Sequence, residues 1–90
     1  MNLNVGDKVE LLKTMLGNDS GTVGIVFYKY DGGGVQIIFP NGQYDGFSKN
    51  EQYNYLEFIE HVYKYENYLF ENVVQVSIDF EKGYWRFDKP

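Results

Sequence analysis

The sequence predicts a mostly β, single-domain protein: a small five-stranded barrel with a C-terminal β-hairpin extension and one short helical segment near 49–54. Three observations predict it. Short runs alternate apolar and polar residues with a period of two. Clusters of Gly, Asn and Asp separate those runs at tight-turn spacing. The aromatic content is high, with 9 Tyr, 7 Phe and 1 Trp in 90 residues. Large rings bury about 150–250 Å² each, so a few of them build a core in a short chain. A chain of this length hides only about 60–65% of its unfolded surface, so some of these rings must remain exposed.

Val5, Val9 and Leu11 alternate with Lys8 and Glu10 as in a half-buried strand, and Gly6-Asp7 forms the turn into it. Leu16-Gly17-Asn18-Asp19-Ser20-Gly21 is a loop of turn-tolerant residues. Thr22 to Tyr28 is the second strand, with Gly24 marking a bulge or bend. Asp31-Gly32-Gly33-Gly34 is a turn, and Val35-Gln36-Ile37-Ile38-Phe39 is the third strand. Pro40 ends it, Asn41-Gly42 suits a type I′ hairpin, and Gln43 to Phe47 returns as the fourth strand. Four strands in under fifty residues form a meander that must bend to close.

Ser48 and Glu51 have the spacing of a helix-initiating capping box. Beyond it two periods compete. Tyr55, Phe58, Ile59, Val62 and Tyr63 fit a helix, while the β-rich run over 56–64 fits a strand; the strand, after one helical turn near 49–54, is the favoured reading. Val74, Val76, Ile78 and Phe80 alternate with Gln75, Ser77 and Asp79, then Glu81-Lys82-Gly83 turns into Tyr84-Trp85-Arg86-Phe87. A helix over 69–80 ending at Gly83 is the rival reading. Residues 1–64 are therefore expected to form the barrel and 65–90 an extension packed on it within one domain.

Val5-Gly6-Asp7-Lys8-Val9, Gly21-Thr22-Val23-Gly24-Ile25-Val26, and Val35-Gln36-Ile37-Ile38-Phe39 with Asn41-Gly42 behind it resemble the SH3-like barrels of the KOW and Tudor-like kind. The resemblance spans residues 5–47 and implies an SH3-like five-stranded barrel acting as a binding module. It implies no shared catalytic residues.

The net charge is −5. Residues 1–50 hold four lysines against five acids, and residues 51–90 hold four basic residues against eight. Nucleic-acid binding depends on Lys and Arg neutralising phosphates, and an acidic chain with one Arg lacks that footprint. Direct nucleic-acid binding is therefore not expected, and a basic protein partner is. Cys is absent, no basic-then-apolar leader opens the chain, and no apolar run approaches about 18 residues, so a cytoplasmic protein without a membrane span is expected.

No catalytic, cofactor or metal motif stands out, and the expected protein is not an enzyme. His61 is the only histidine, with no second imidazole and no cysteine to share a metal, and is expected to be structural. The carboxylates Glu57, Glu60, Glu66 and Glu71 show no spacing that singles out a catalytic pair. The binding candidates are Tyr28, Tyr30, Asp31, Tyr44, Asp45, Phe47, Tyr53 and Tyr55, which lie at or near loops and strand ends. Tyr offers apolar area with a polar tip, and the two aspartates favour a basic ligand held partly by cation–π contact. The leading expectation is a non-enzymatic interaction module. The alternative is a phosphate-mimicking inhibitor of a nucleic-acid-handling enzyme, of the kind phages and mobile elements encode, with carboxylates of 51–90 gathered on one face. A small enzyme would instead need a pocket gathering His61 with carboxylates. Self-association through an edge of strand 74–80 is a further expectation.

Overall fold

The computed structural model describes residues 1–15 and 17–66, together with the backbone of two strands at 75–79 and 84–88. Five strands form one antiparallel sheet: β1 (Asp7–Leu11), β2 (Val23–Lys29), β3 (Val35–Ile38), β4 (Tyr44–Phe47) and β5 (Leu56–His61). Helix α1 (Lys49–Tyr55) joins β4 to β5, and a 3₁₀ turn (Tyr63–Tyr65) follows β5. The strand order is β4-β3-β2-β1-β5.

The two central hairpins share one turn design. Tyr30 donates its N–H to Gly34 and accepts from Gly33, as Phe39 donates to Gln43 and accepts from Gly42. Each loop has three residues and ends on a glycine in the left-handed region, Gly33 at φ 93° and Gly42 at φ 84°. The Asn41-Gly42 hairpin is thus one residue longer than the expected two-residue type I′ turn, the geometry that a single left-handed glycine permits.

Alternation sends Val9, Leu11, Val26, Val35, Ile37, Phe47 and Leu56 to the concave side, where Leu3 and Phe39 complete a buried core. β2 is apolar on both faces. Ile25 and Phe27 join Ile38 and Tyr65 in a second buried cluster on the convex side, with Val23 and Val62 at its rim. A run such as Val23-Gly24-Ile25-Val26-Phe27 is what a strand covered on both faces requires.

Gly24 is not the bulge. It pairs regularly with Val9, and the register shifts instead between Val26 and Tyr28. A Cβ on Gly24 would lie 2.5 Å from Ile37 Cγ2 and 2.9 Å from the Phe39 ring, so glycine is there because the core closes over its backbone.

The sheet does not close into the expected barrel. β4 and β5 are its two edges, and no ladder joins them. Helix α1 connects them and touches both. Its buried Gln52 side chain donates to the carbonyls of Gly33 (2.9 Å) and Phe47 (3.3 Å). The Ser48–Glu51 capping box forms as the sequence indicates, with the Ser48 N–H donating to Glu51 Oε1 at 2.9 Å and the Glu51 N–H to Ser48 Oγ at 3.2 Å. These charge-favouring contacts hold the Glu51 carboxyl below its ordinary value, the backbone N–H of Ser48 most of all. Residues 56–61 are strand rather than helix: they pair residue by residue with β1, Leu56 opposite Leu11 and Glu57 opposite Glu10, with one shift between Lys8 and Val9.

The strands at the chain's end, β6 (Gln75–Asp79) and β7 (Tyr84–Asp88), pair antiparallel with Ile78 opposite Trp85. The period of two therefore prevails over the helical alternative for 75–79. Of the expected extension over 65–90, Tyr65 packs on the sheet in the cluster with Ile25, Phe27 and Ile38; the expected turn at Glu81-Lys82-Gly83, the packing of residues beyond Glu66 and any pairing of 74–80 between copies lie outside the described residues.

Candidate functional site

The convex surface of β2, β3 and β4 is set by the irregularity at Phe27. Val26 opposes Ile37 and Tyr28 opposes Gln36, leaving Phe27 without a partner on β3. Such a bulge re-aims side chains. Phe27 joins the convex cluster beside Ile25 and Ile38. Tyr28 shares that face too, because Gln36 lies between the inward-pointing Val35 and Ile37. Two consecutive aromatic side chains thus reach one surface.

There Tyr28 (48% exposed) meets Tyr30 (47%) edge-to-face, with ring centroids 4.9 Å apart. The Tyr30 hydroxyl accepts a hydrogen bond from Gln36 Nε2 at 2.8 Å, which fixes the ring. Gly46 lies opposite Gln36 on β4 and leaves that place free of side-chain bulk. Asp31 is exposed at the tip of the hairpin that Tyr30 closes. Farther along the same face Tyr44 packs edge-to-face on Phe27 at 5.8 Å.

The other predicted residues separate. Asp45 is half-buried on the β4 edge, where its Oδ1 accepts from the Gly46 N–H at 2.9 Å. Phe47 is a core residue, 2% exposed, because the alternation that turns Tyr44 out turns Phe47 in. Tyr55 is half-buried against the concave core, tilted on Phe47, with Lys13 Nζ 5.2 Å from its ring centroid. Tyr53 is exposed on α1, and its hydroxyl accepts from the Met1 ammonium. The structure therefore pairs Tyr28 with Tyr30, leaves Asp31 exposed on the adjoining hairpin turn, places Tyr44 farther along, and takes Phe47 out of the surface. Gln36, which orders the pair, was legible as the one polar residue in the strand Val35–Ile38.

A second cluster surrounds His61. Its Nδ1 lies 2.6 Å from Asp7 Oδ1 and its Nε2 2.8 Å from Glu66 Oε2. The Asp7 side chain is buried, and its other oxygen accepts from the Asn4 N–H at 2.7 Å. The Tyr63 ring stands edge-on to the imidazole at 4.6 Å. A carboxylate at each nitrogen favours the doubly protonated ring, in which both nitrogens donate. The Glu66 contact, then the Asp7 contact, raises the His61 pKa above 6.5. When the ring is protonated, both N–H groups are engaged and the side chain forms a charged strut between β1, β5 and the end of the 3₁₀ turn. Residues 7 and 61 are 54 apart, and only the strand pairing brings them together. Among the described residues no group of three or more His, Asp or Glu side chains is arranged to hold a metal ion.

Two open clefts flank the sheet. One of about 680 Å³ lies between Asn18, Phe39, Gln43, Tyr44 and Asp45. The other, about 410 Å³, runs beside β5 between Met1, Leu3, Asn4, Phe58 and His61. Among the described residues no helix is long and apolar enough to cross a membrane. No family model, curated protein or solved structure matches the chain.

Proposed function

We propose that this protein is a non-enzymatic interaction module that binds a basic protein partner through the Tyr28–Tyr30 surface. The observation that carries the reading is the exposed edge-to-face pair, ordered in advance by Gln36, with the Asp31 carboxylate at the adjoining hairpin tip. A Lys or Arg from a partner would meet a ring face and a carboxylate together, and rings already fixed lose little freedom on binding. The net charge of −5 favours the encounter. The antiparallel glycine-turned meander over 7–47 supports the SH3-like resemblance as a reading of strand arrangement, in an open sheet rather than a barrel.

The phosphate-mimic alternative draws less support. Glu51 is engaged in the capping box and Glu66 on His61, which leaves Glu57 and Glu60 as the outward carboxylates of the described return segment.

The test is affinity capture from native-host extract with the wild-type chain and with the Tyr28→Ala/Tyr30→Ala double variant, the fold of each checked by circular dichroism. A basic protein retained by the wild type and lost by a folded double variant is expected. Identical captures would overturn the reading.

A further inference from the structure

The two edges of the sheet are finished differently. At β4, Tyr44 opposes Ile38 and Gly46 opposes Gln36, while Phe39 donates to Gln43 beyond the strand ends. Alternation along an antiparallel ladder then turns the Gly46 N–H away from β3, and Asp45 Oδ1 caps it at 2.9 Å. At β5, Leu12 donates to Tyr55 and Val62 donates to Gly6, so by the same alternation Phe58, opposite Val9, turns its N–H and C=O away from β1. Among the described residues no side chain caps Phe58, and β5 pairs with β1 alone.

Two further features lie along that open edge. The register shift between Lys8 and Val9 leaves Ile59 without a partner, and Phe58 and Ile59 are 48% and 41% exposed. On the concave side, directly beside Phe58, runs the cleft of about 410 Å³ that includes Met1 and Leu3, with Asn2, Asn4, Asp7 and His61 completing its lining. On the opposite side of the strand Glu57 faces Glu10, a like-charge pair that costs stability, and Glu60 faces Lys8.

We infer that the β5 edge receives an extended peptide segment in which Lys or Arg alternates with apolar residues. Such a segment adds as a further strand, its main chain bonding to Phe58. Its apolar side chains enter the cleft against Phe58 and Leu3, and its basic side chains lie beside Glu57 and Glu60. Main-chain pairing supplies affinity in this mode, and pockets for alternate side chains supply specificity. A second copy fits poorly: two edges of this chain would bring Glu57 and Glu60 of both copies onto one shared face, with a net charge of −5 on each. The inference makes no use of Tyr28 or Tyr30 and stands independently of the function proposed above.

The test titrates the full chain, ¹⁵N-labelled, with a hexapeptide of alternating lysine and valine. The comparison peptides are one of the same composition in two blocks, one with glutamate in place of lysine, and one N-methylated at alternate residues. The alternating basic peptide is expected to bind at least about tenfold tighter than each of the others. Its chemical-shift changes should centre on residues 1–4 and 56–61, and Glu57→Lys should weaken it by a similar factor. Equal affinity for the block peptide, or shifts confined to other residues, overturns the inference. Concentration-dependent self-association with the same shifts in the absence of peptide also overturns it, and assigns the edge to a second copy.

Discussion

The meander of residues 7–47 and the return segment of residues 48–66 are held in different ways. The meander is stabilised by near neighbours: glycine-ended turns and inward-facing apolar side chains on each strand. The return segment holds by single polar contacts, two of them to residues far away in the chain: Ser48 with Glu51 at its start, Gln52 with the Phe47 carbonyl and the distant Gly33 carbonyl in its middle, and His61 between the distant Asp7 and Glu66 at its end. Apolar packing tolerates small displacements, whereas a buried polar contact is either satisfied or costly. The return segment is therefore specified by a few residues, and changes at those residues separate the two regimes.

The largest effect is expected where the regimes meet. Phe47 fills the concave core, and its carbonyl receives Gln52. Phe47→Ala should cost about 3–5 kcal/mol, read as a fall in the urea midpoint. A loss under 1 kcal/mol would mean that the core can collapse around the gap.

Gln52→Ala leaves the Gly33 and Phe47 carbonyls without that donor, and about 1–3 kcal/mol is expected in the same assay. Among the described residues Gln52 Oε1 itself has no partner, so part of this cost is offset. A neutral result would place the hold on α1 elsewhere.

Ser48→Ala removes the acceptor of the Glu51 N–H and should cost about 1 kcal/mol. Loss of the α1 amide protection in hydrogen exchange, with the β2–β3 amides unaffected, would localise that cost to the return segment.

The smallest effect is expected at the strut and depends on pH. Folding raises the His61 pKa above 6.5, so its contribution is fully present below about 6.5 and is lost as pH rises through the higher folded value. The stability advantage of wild type over His61→Gln should therefore shrink as pH is raised above 6.5. A difference independent of pH would show that the imidazole is held without its charge.

The same division decides what could be read from the residues alone. Val9, Leu11, Val35 and Ile37 announce their face by alternation, and Gly33 and Gly42 announce their turns, because those choices are local. Ser48 and Glu51 were legible for the same reason. The open sheet was not legible, since α1 connects β4 to β5 without a ladder between them, and nothing in Lys49–Tyr55 marks Gln52 as the residue that enters the interior. Among the binding candidates, the exposure of Tyr28 and Tyr30 was legible because bulky rings beside a glycine turn rarely all fit inside. Phe47 was misplaced because a strand end next to a loop does not reveal which face its last residue takes. The Asp7–His61–Glu66 contact had no sequence signal, its first two members being joined only by the β1–β5 register.

Gly6 has a mechanical consequence. It sits at φ 97°, donates to Val26 and accepts from Val62, and a Cβ there would lie 3.0 Å from the Val62 carbonyl oxygen. The start of β1 and the end of β5 therefore lie side by side at one end of an antiparallel pair. Tension applied between residues 6 and 62 loads the rungs one after another, as in opening a zip, rather than all together in shear. The first rungs to take the load are Gly6–Val62 and the His61 strut, and the apolar rungs Val9–Phe58 and Leu11–Leu56 are reached only after those have parted.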